Sequence, residues 1–108
     1  MKHLFVSIFL LLLAIPHQAQ DIYLFSYFTG NGEDGLHLAY STDGLTWEAL
    51  GKGRSFLSPE VGKDKLMRDP CIIKGHDGFF HMVWTTGWWD RHIGYASSRD
   101  LIHWSEQK

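Results

Sequence analysis

Ser41-Thr42-Asp43-Gly44-Leu45-Thr46-Trp47 recurs 57 positions later as Ser98-Arg99-Asp100-Leu101-Ile102-His103-Trp104, and both copies read Ser-x-Asp-x-(Leu/Ile)-x-Trp. The same shift, without a gap, also aligns apolar residues that precede the two copies: Tyr23 with Phe80, Phe25 with Met82, Tyr27 with Trp84, Leu36 with Ile93 and Ala39 with Ala96. A repeat of roughly 50 residues built of short strands is typical of a stacked β array or a propeller, because one unit cannot bury its own apolar face.

Short runs rich in aromatic and β-branched residues predict the strands of each unit. In the second unit they cover 69–73, 79–86, 93–97 and 104–107, and in the first unit 23–29, 36–41 and a strand that starts at Trp47. The Ser-x-Asp stretches predict turns in which these side chains bond nearby backbone amides, and Trp47 and Trp104 are expected in the core. A repeated four-stranded antiparallel meander is a propeller blade, so the predicted fold class is all-β, with about one and a half blades.

The chain divides into a leader and one domain. Lys2 precedes an apolar run over 4–15, Pro16 ends the run, and Ala19 is a small residue suited to cleavage. This run is shorter than the ~20 residues needed to span a bilayer, so residues 1–20 are predicted to be a signal peptide and not a membrane span; the product is expected in the periplasm or outside the cell. Residues 21–108 form the predicted domain. A closed propeller needs at least about 230 residues at this repeat length, so we expect it to be the N-terminal part of a larger propeller.

Composition excludes several partners and cofactors. Lys2 is the only Lys or Arg in the leader, which leaves nine basic against twelve acidic residues and a formal net charge of −3 for the domain. Since the basic residues are also scattered, a nucleic-acid surface is excluded. The single Cys71 excludes an intrachain disulfide, and its thiol is expected to be buried. The seven His residues show no zinc-ligand spacing, so we predict no metal and no other cofactor, while the oligomeric state stays open.

Asp69 is the main candidate for chemistry. Pro70 fixes its own φ, removes a backbone donor and disfavours helical geometry for the residue before it, so Asp69 is expected to be extended at the start of the innermost strand. Inner strands of a propeller start around the central funnel, which would point this carboxylate into the cavity. The alternative is that Asp69 only caps the strand and pairs with Arg68.

The order of motifs from Asp69-Pro70-Cys71-Ile72, through the aromatic strand over 79–84, to the stretch 93–104 resembles the opening blade of glycoside hydrolase family 43. That resemblance implies a partial five-bladed β-propeller belonging to an enzyme that hydrolyses O-glycosidic bonds of arabinose- or xylose-containing polysaccharide or oligosaccharide with inversion. It implies a carbohydrate as the partner and Asp69 as the general base that activates water. The family's catalytic acid, a Glu, and a third carboxylate come from later blades, so both are expected beyond Lys108.

Arg68 is a departure from this pattern, because many members of the family have a small residue there. Arg68-Asp69-Pro70 is instead similar to the sequence of the related fructan-cleaving propellers, in which that Asp stabilises the transition state and another carboxylate is the nucleophile. The role of Asp69 therefore stays open between base and stabiliser.

A second group of candidates follows from strand direction. The turn at 74–78 closes the far end of the strand pair, so the loop over 87–92 returns to the end that bears Asp69, and the loop over 30–35 does the same in the first unit. Aromatic rings stack on the apolar faces of sugars, while carboxylates and guanidinium groups hold hydroxyls. The predicted substrate-binding residues are Arg68, Trp88, Trp89, Asp90 and Arg91. The alternative is a hairpin whose two Trp side chains pack on the next blade.

Two further functions fit the same residues. The stretch 41–47 resembles the Asp-box turn of sialidases, although it is one residue short between Asp and Trp. A non-catalytic carbohydrate-binding propeller would keep the Trp loop and need no catalytic Glu.

Overall fold

A computed structural model describes residues 19–108 of the chain. Its regular elements are six strands and a short 3-10 turn at Leu50–Gly53: β1 (Tyr23–Tyr27), β2 (His37–Ser41), β3 (Glu48–Ala49), β4 (Arg68–Lys74), β5 (Phe80–Thr85) and β6 (Ile93–Ser98). The predicted signal peptide, apart from its last two residues, lies outside the described residues. Within them, no helix has the length and apolar character needed to cross a bilayer.

The strands form two antiparallel three-stranded sheets, in the orders β1-β2-β3 and β4-β5-β6. This confirms the all-β class, and two successive meanders are what a part of a propeller contains. The predicted strand boundaries agree with the observed ones to within about two residues for five of the strands, as expected for runs bounded by turn residues.

The predicted strand over 104–107 forms only in part. Trp104 makes an isolated bridge with Ser98, and Tyr95 and Lys108 exchange backbone hydrogen bonds of 2.9 and 3.0 Å. Between these points the Ser97 N–H donates to the Ser105 side-chain Oγ at 2.9 Å and not to a backbone carbonyl. The hydroxyl interrupts the ladder, so the tail follows β6 without forming a continuous strand.

The core lies between the two sheets. It is a cluster of buried apolar side chains from both units and from the connection between them: Leu36, Leu38, Met67, Met82, Trp84 and Ala96. The register places Trp84 opposite Gly94, and a Cβ on Gly94 would come within 2.0 Å of the indole. Only a glycine therefore leaves room for Trp84 on this face of the sheet.

The two repeated turns have the same hydrogen bonds. Asp43 Oδ1 accepts from the Leu45 and Thr46 N–H groups, both at 2.8 Å, and Asp100 Oδ1 accepts from the Ile102 and His103 N–H groups at 2.9 and 2.8 Å. Both aspartates are thus turn residues, as the sequence predicted. Their bound N–H groups favour the ionised carboxylate, so the pKa of Asp43 lies below its usual value, chiefly because of the Thr46 N–H.

Two expectations about burial are wrong. Trp104 is half-buried against the core, but Trp47 is exposed, because it lies on the outer face of the first sheet, where Phe25 is its aromatic neighbour. Cys71 is a free thiol and is exposed. It projects from the face of the second sheet opposite to Ile72, and among the described residues nothing covers that face.

Candidate functional site

Asp69 lies in a β-bulge at the start of β4. Arg68 pairs with Thr85 and Cys71 pairs with Val83, so two residues of β4, Asp69 and Pro70, stand against one of β5. Pro70 has no N–H to give to the ladder, which explains why the pairing breaks at this point. The extended geometry predicted for Asp69 is wrong: its φ is +50°, in the left-handed region. A bulge needs one residue to turn out of the pleat, and Asp tolerates that conformation better than most residues.

The bulge places the Asp69 carboxylate in an open cleft. The cleft has a volume of about 310 Å³ and is lined by Asp69, Pro70 and four residues of β1 and its extension: Phe25, Ser26, Tyr27 and Phe28. Ser26 Oγ donates to the Pro70 carbonyl at 2.6 Å and so fixes β1 against the bulge. Asp69 is the only acidic residue in the lining. The cleft thus contains one exposed carboxylate, that of Asp69, beside the aromatic side chains of Phe25, Tyr27 and Phe28.

Arg68 points to a different group of side chains. Its guanidinium lies 4.0 Å from the ring centroid of Trp88 and 5.1 Å from that of Phe28, both within cation–π range, and it donates to Asn31 Oδ1. The described residues contain no ion pair between Arg68 and Asp69, so the alternative of a strand cap with Arg68 as its ion partner finds no support in the structure. The carboxylate is left free of an internal cation.

The two loops predicted to return to the Asp69 end do meet there. Trp88 Nε1 donates to Asn31 Oδ1 at 3.2 Å, which joins the loop of the second unit to the loop of the first. Gly32 holds the first loop against the chain before β4, since its carbonyl accepts from the Met67 N–H at 2.8 Å and a Cβ on it would lie 2.4 Å from the Met67 oxygen. We call Asn31, Arg68 and Trp88 the loop cluster.

The other predicted binding residues do not join the loop cluster. Trp89 is 94% exposed, and Arg91 is exposed as well. Asp90 has a side chain that is only 9% exposed. One of its oxygens accepts from Thr86 Oγ1 at 2.8 Å and from the Lys63 N–H at 3.1 Å, and the other contacts His92. The Thr86 hydroxyl, first, and then these other donors hold the pKa of Asp90 well below its usual value. Asp90 therefore fastens the loop to the connection between the sheets.

Sequence reasoning missed Asn31 and Phe28. The repeat contained a signal for Asn31, because Asn31 and Trp88 are 57 residues apart and so occupy the same position in the two units. Phe28 had no such signal, since its neighbour Arg68 is distant in the sequence.

One protein family matches nearly all of the chain that follows the predicted leader. A family model described as a probable glycosyl hydrolase domain, related to glycosyl hydrolase family 43, matches residues 18–108. The chain belongs to this family of probable glycosyl hydrolase domains. Neither a curated protein nor a solved structure matches the chain significantly.

In a glycosyl hydrolase domain, the residues around Asp69 could take part in bond cleavage and in sugar binding. An exposed carboxylate without an internal cation can accept a proton from water or face a positive charge that develops on a sugar ring. The Trp88 indole beside the Arg68 guanidinium offers an apolar surface and hydrogen-bond donors to a sugar. Among the described residues, no group of three or more His, Cys, Asp or Glu is placed to hold a metal ion.

Proposed function

We propose that this glycosyl hydrolase domain supplies the general base of an inverting hydrolase that cleaves O-glycosidic bonds of arabinose- or xylose-containing polysaccharide or oligosaccharide. Asp69 is the base. The observation that supports this most is its position: a bulge holds a non-glycine residue at φ +50° and turns its carboxylate into an open cleft. Backbone strain of this kind costs roughly 1–3 kcal/mol and is frequent at functional sites. Lys52, Lys65 and Leu101 also have positive φ values, so it is the open cleft beside Asp69 that distinguishes this position.

In this proposal Asp69 removes a proton from the water that attacks the anomeric carbon. An acid on the other side of the sugar protonates the leaving oxygen, and the two carboxyl groups of inverting enzymes stand about 6.5–9.5 Å apart, which leaves room for the water. Asp69 is the only carboxylate of the cleft. The acid is therefore supplied by another part of the full-length protein, as in the family that the sequence resembles.

The loop cluster binds the sugar in this proposal. Trp88 is 65% exposed and is held by Arg68 on one side and by Asn31 at its indole nitrogen, so the ring offers a fixed face to a ligand. Trp89 and Arg91 reach the same ligand from the exposed part of the loop. We also infer export to the periplasm or the extracellular space, because residues 1–20 have the basic start, apolar run and small residue near the cleavage position that are typical of a signal peptide; detection of mature protein that starts near residue 21 tests this inference.

A fructan-cleaving enzyme is the second candidate, favoured by Arg68 immediately before Asp69. There Asp69 would stabilise charge on the sugar, and another carboxylate would attack it. A non-catalytic carbohydrate-binding propeller is the third candidate, favoured by the single carboxylate of the cleft.

Replacement of Asp69 by Asn in the full-length protein tests these functions. If Asp69 is the base, kcat falls by roughly 10²–10⁴ while sugar binding remains, and azide partly restores turnover with an inverted azide product. A stabiliser loses rate without rescue. The matched control is Glu106→Gln, an exposed carboxylate outside the cleft, which keeps normal turnover. Near-normal turnover of Asp69→Asn, or binding without any turnover in the unmodified protein, contradicts the proposal.

A further inference from the structure

His37 is a buried polar residue that lies directly behind the candidate site. It is the first residue of β2, and its side chain is 4% exposed. Within residues 19–108 its Nδ1 atom has no hydrogen-bond partner, so the polar contacts that this part of the chain gives the ring are all made by Nε2. Those contacts lead to the loop that carries Asn31.

The Nε2 atom of His37 contacts the carboxylate of Asp34 at 2.8 Å. An ionised carboxylate can only accept hydrogen bonds, so Nε2 bears the hydrogen and donates it. The other oxygen of the same carboxylate accepts from Thr29 Oγ1 at 3.2 Å. Asp34 therefore joins the residue that precedes the loop over 30–35 to the residue that starts β2, and it closes the loop at its base.

The closed loop presents Asn31 to the loop cluster. The Asn31 N–H donates to Glu33 Oε2 at 2.8 Å, and the Gly32 N–H donates to the Thr29 carbonyl at 2.9 Å. These bonds fix the backbone at Asn31 relative to Thr29, whose side chain is bound by Asp34. The place of the Asn31 amide in the loop cluster thus depends on the contacts at the base of the loop.

His37 also supports a wall of the cleft that contains Asp69. Tyr27 is its partner in the pairing of β1 with β2, and the centroids of the two rings are 5.3 Å apart. Tyr27 lines the cleft together with Asp69. One buried side chain therefore contacts a residue of the cleft on one side and, through Asp34, the sugar-binding loop on the other.

We propose that His37 is a positioning residue that holds the sugar-binding loop in place through Asp34. The inference rests on the sugar-binding role proposed above for the loop cluster. The hydrogen bond from Nε2 exists before substrate arrives, so sugar binding does not have to order the loop. Without this bond the binding-competent loop is less populated, and the apparent affinity falls by the same factor. Asp69 lies on β4, outside the loop, so turnover at saturating substrate changes little.

Two amide substitutions of different reach test the hydrogen bond in the full-length protein. In His37→Gln the side-chain nitrogen can take the place of Nε2 and donate to Asp34, whereas the shorter side chain of His37→Asn cannot reach it. Both substitutions remove the ring that contacts Tyr27, so they differ chiefly in this bond. We expect the KM of His37→Asn to rise by roughly tenfold, as for the loss of one hydrogen bond to a charged group, while kcat changes by less than about twofold. His37→Gln keeps both constants close to those of the unmodified protein.

Two more variants separate the hydrogen bond from packing. Asp34→Ala removes the acceptor at a position whose side chain is 54% exposed, and it should raise KM as His37→Asn does even if changes at the buried ring prevent folding. His37→Phe keeps a ring against Tyr27 without the donor and should also raise KM. If His37→Phe behaves as the unmodified protein does while His37→Gln does not, His37 acts by packing alone and the proposal fails.

A measurement without sugar separates this inference from the proposed function. Amide hydrogen exchange of the full-length protein should be faster at Asn31 and Gly32 in His37→Asn than in His37→Gln, because the loop opens more often. The N–H groups of Ile102 and His103, in the repeated turn of the second unit, are the control and should exchange at an unchanged rate. Equal exchange at Asn31 and Gly32 in the two variants overturns the inference. An exchange difference in a protein that binds no sugar supports the positioning role of His37 and contradicts the proposed function.

Discussion

Asn31 and Trp88 occupy the same position in the two repeated units, and a hydrogen bond of 3.2 Å joins them. Asn31 Oδ1 also accepts from the Arg68 guanidinium, so one amide oxygen connects the loops of both units to the residue that precedes Asp69. The contact exists because each loop follows the first strand of its antiparallel pair and so returns to the same end of the molecule. The candidate site thus lies where the two units meet.

Asn31 is expected to position the loop cluster. In Asn31→Ala, the Arg68 and Trp88 donors lose their shared acceptor, and we expect sugar binding to the full-length protein to weaken by roughly tenfold, as for loss of about one hydrogen bond to a charged group. Isothermal titration with substrate oligosaccharide measures the change. Asn31→Asp keeps the acceptor and retains binding. Equal affinity of Asn31→Ala and the unmodified protein would show that Asn31 only links the loops.

Trp88 and Trp89 form a matched pair of adjacent exposed indoles. We expect Trp88→Ala to weaken sugar binding more than Trp89→Ala, because Arg68 and Asn31 hold the Trp88 ring in place, while Trp89 is almost fully exposed. Neither change should lower the free energy of unfolding by the roughly 3–5 kcal/mol typical of a buried Trp. Titration and chemical denaturation of both variants check these expectations. A loss of that size in either variant indicates that its ring packs inside the full-length protein.

Replacement of Asp69 by Gly should abolish turnover without lowering stability, because the backbone at this position has a left-handed conformation. Asp69→Gly relieves the left-handed strain at φ +50°, so its free energy of unfolding should equal or exceed that of the unmodified protein. Asp69→Ala keeps the strain without the tolerance of an Asp side chain and should be less stable than Asp69→Gly by about 1 kcal/mol. Both variants should lose turnover. Urea denaturation beside a rate assay separates the two effects, and equal stability of Gly and Ala at this position would mean that the bulge relaxes.

A fall in pH should destabilise the domain, because the ionised carboxylates of Asp43 and Asp100 accept hydrogen bonds from the backbone N–H groups of the two repeated turns. The His103 side chain and two backbone N–H groups hold the pKa of Asp100 below its usual value of 3.8, and backbone N–H groups do the same for Asp43. Because the folded pKa values are depressed, these groups stabilise the fold above about pH 4, and the stabilisation is lost as the pH falls through the folded pKa values. We expect the urea midpoint to fall between pH 5 and about pH 2, and to fall less steeply in a variant that carries Asp43→Asn and Asp100→Asn. An equal slope in both proteins would assign the acid sensitivity to other carboxylates.

The sequence predicted the local structure well. The repeat, the turn-forming Ser and Asp residues and the runs of apolar residues predicted all six strands, both turns and the position of the loops over 30–35 and 87–92 at the same end of the molecule. These features depend on contacts between residues close in the chain or on strand direction. The continuous strand over 104–107 was not predicted correctly, because a single Ser105 hydroxyl replaces a backbone acceptor in the ladder.

By itself, then, the sequence determined the all-β class, the repeated unit and the end of the molecule at which the candidate residues lie, since alternation and turn chemistry act over a few residues. Only the tertiary structure decided that Asp69 turns out of a bulge, that Arg68 packs between Phe28 and Trp88, and that Asp90 fastens a loop. It also decided which repeated aromatic residues are buried: Trp84 lies between the two sheets, whereas its repeat counterpart Tyr27 lies on the outer face of the first sheet and is only half-buried. Identical positions in a repeat are buried or exposed according to whether another sheet packs on them, and that depends on long-range packing which a local pattern does not contain.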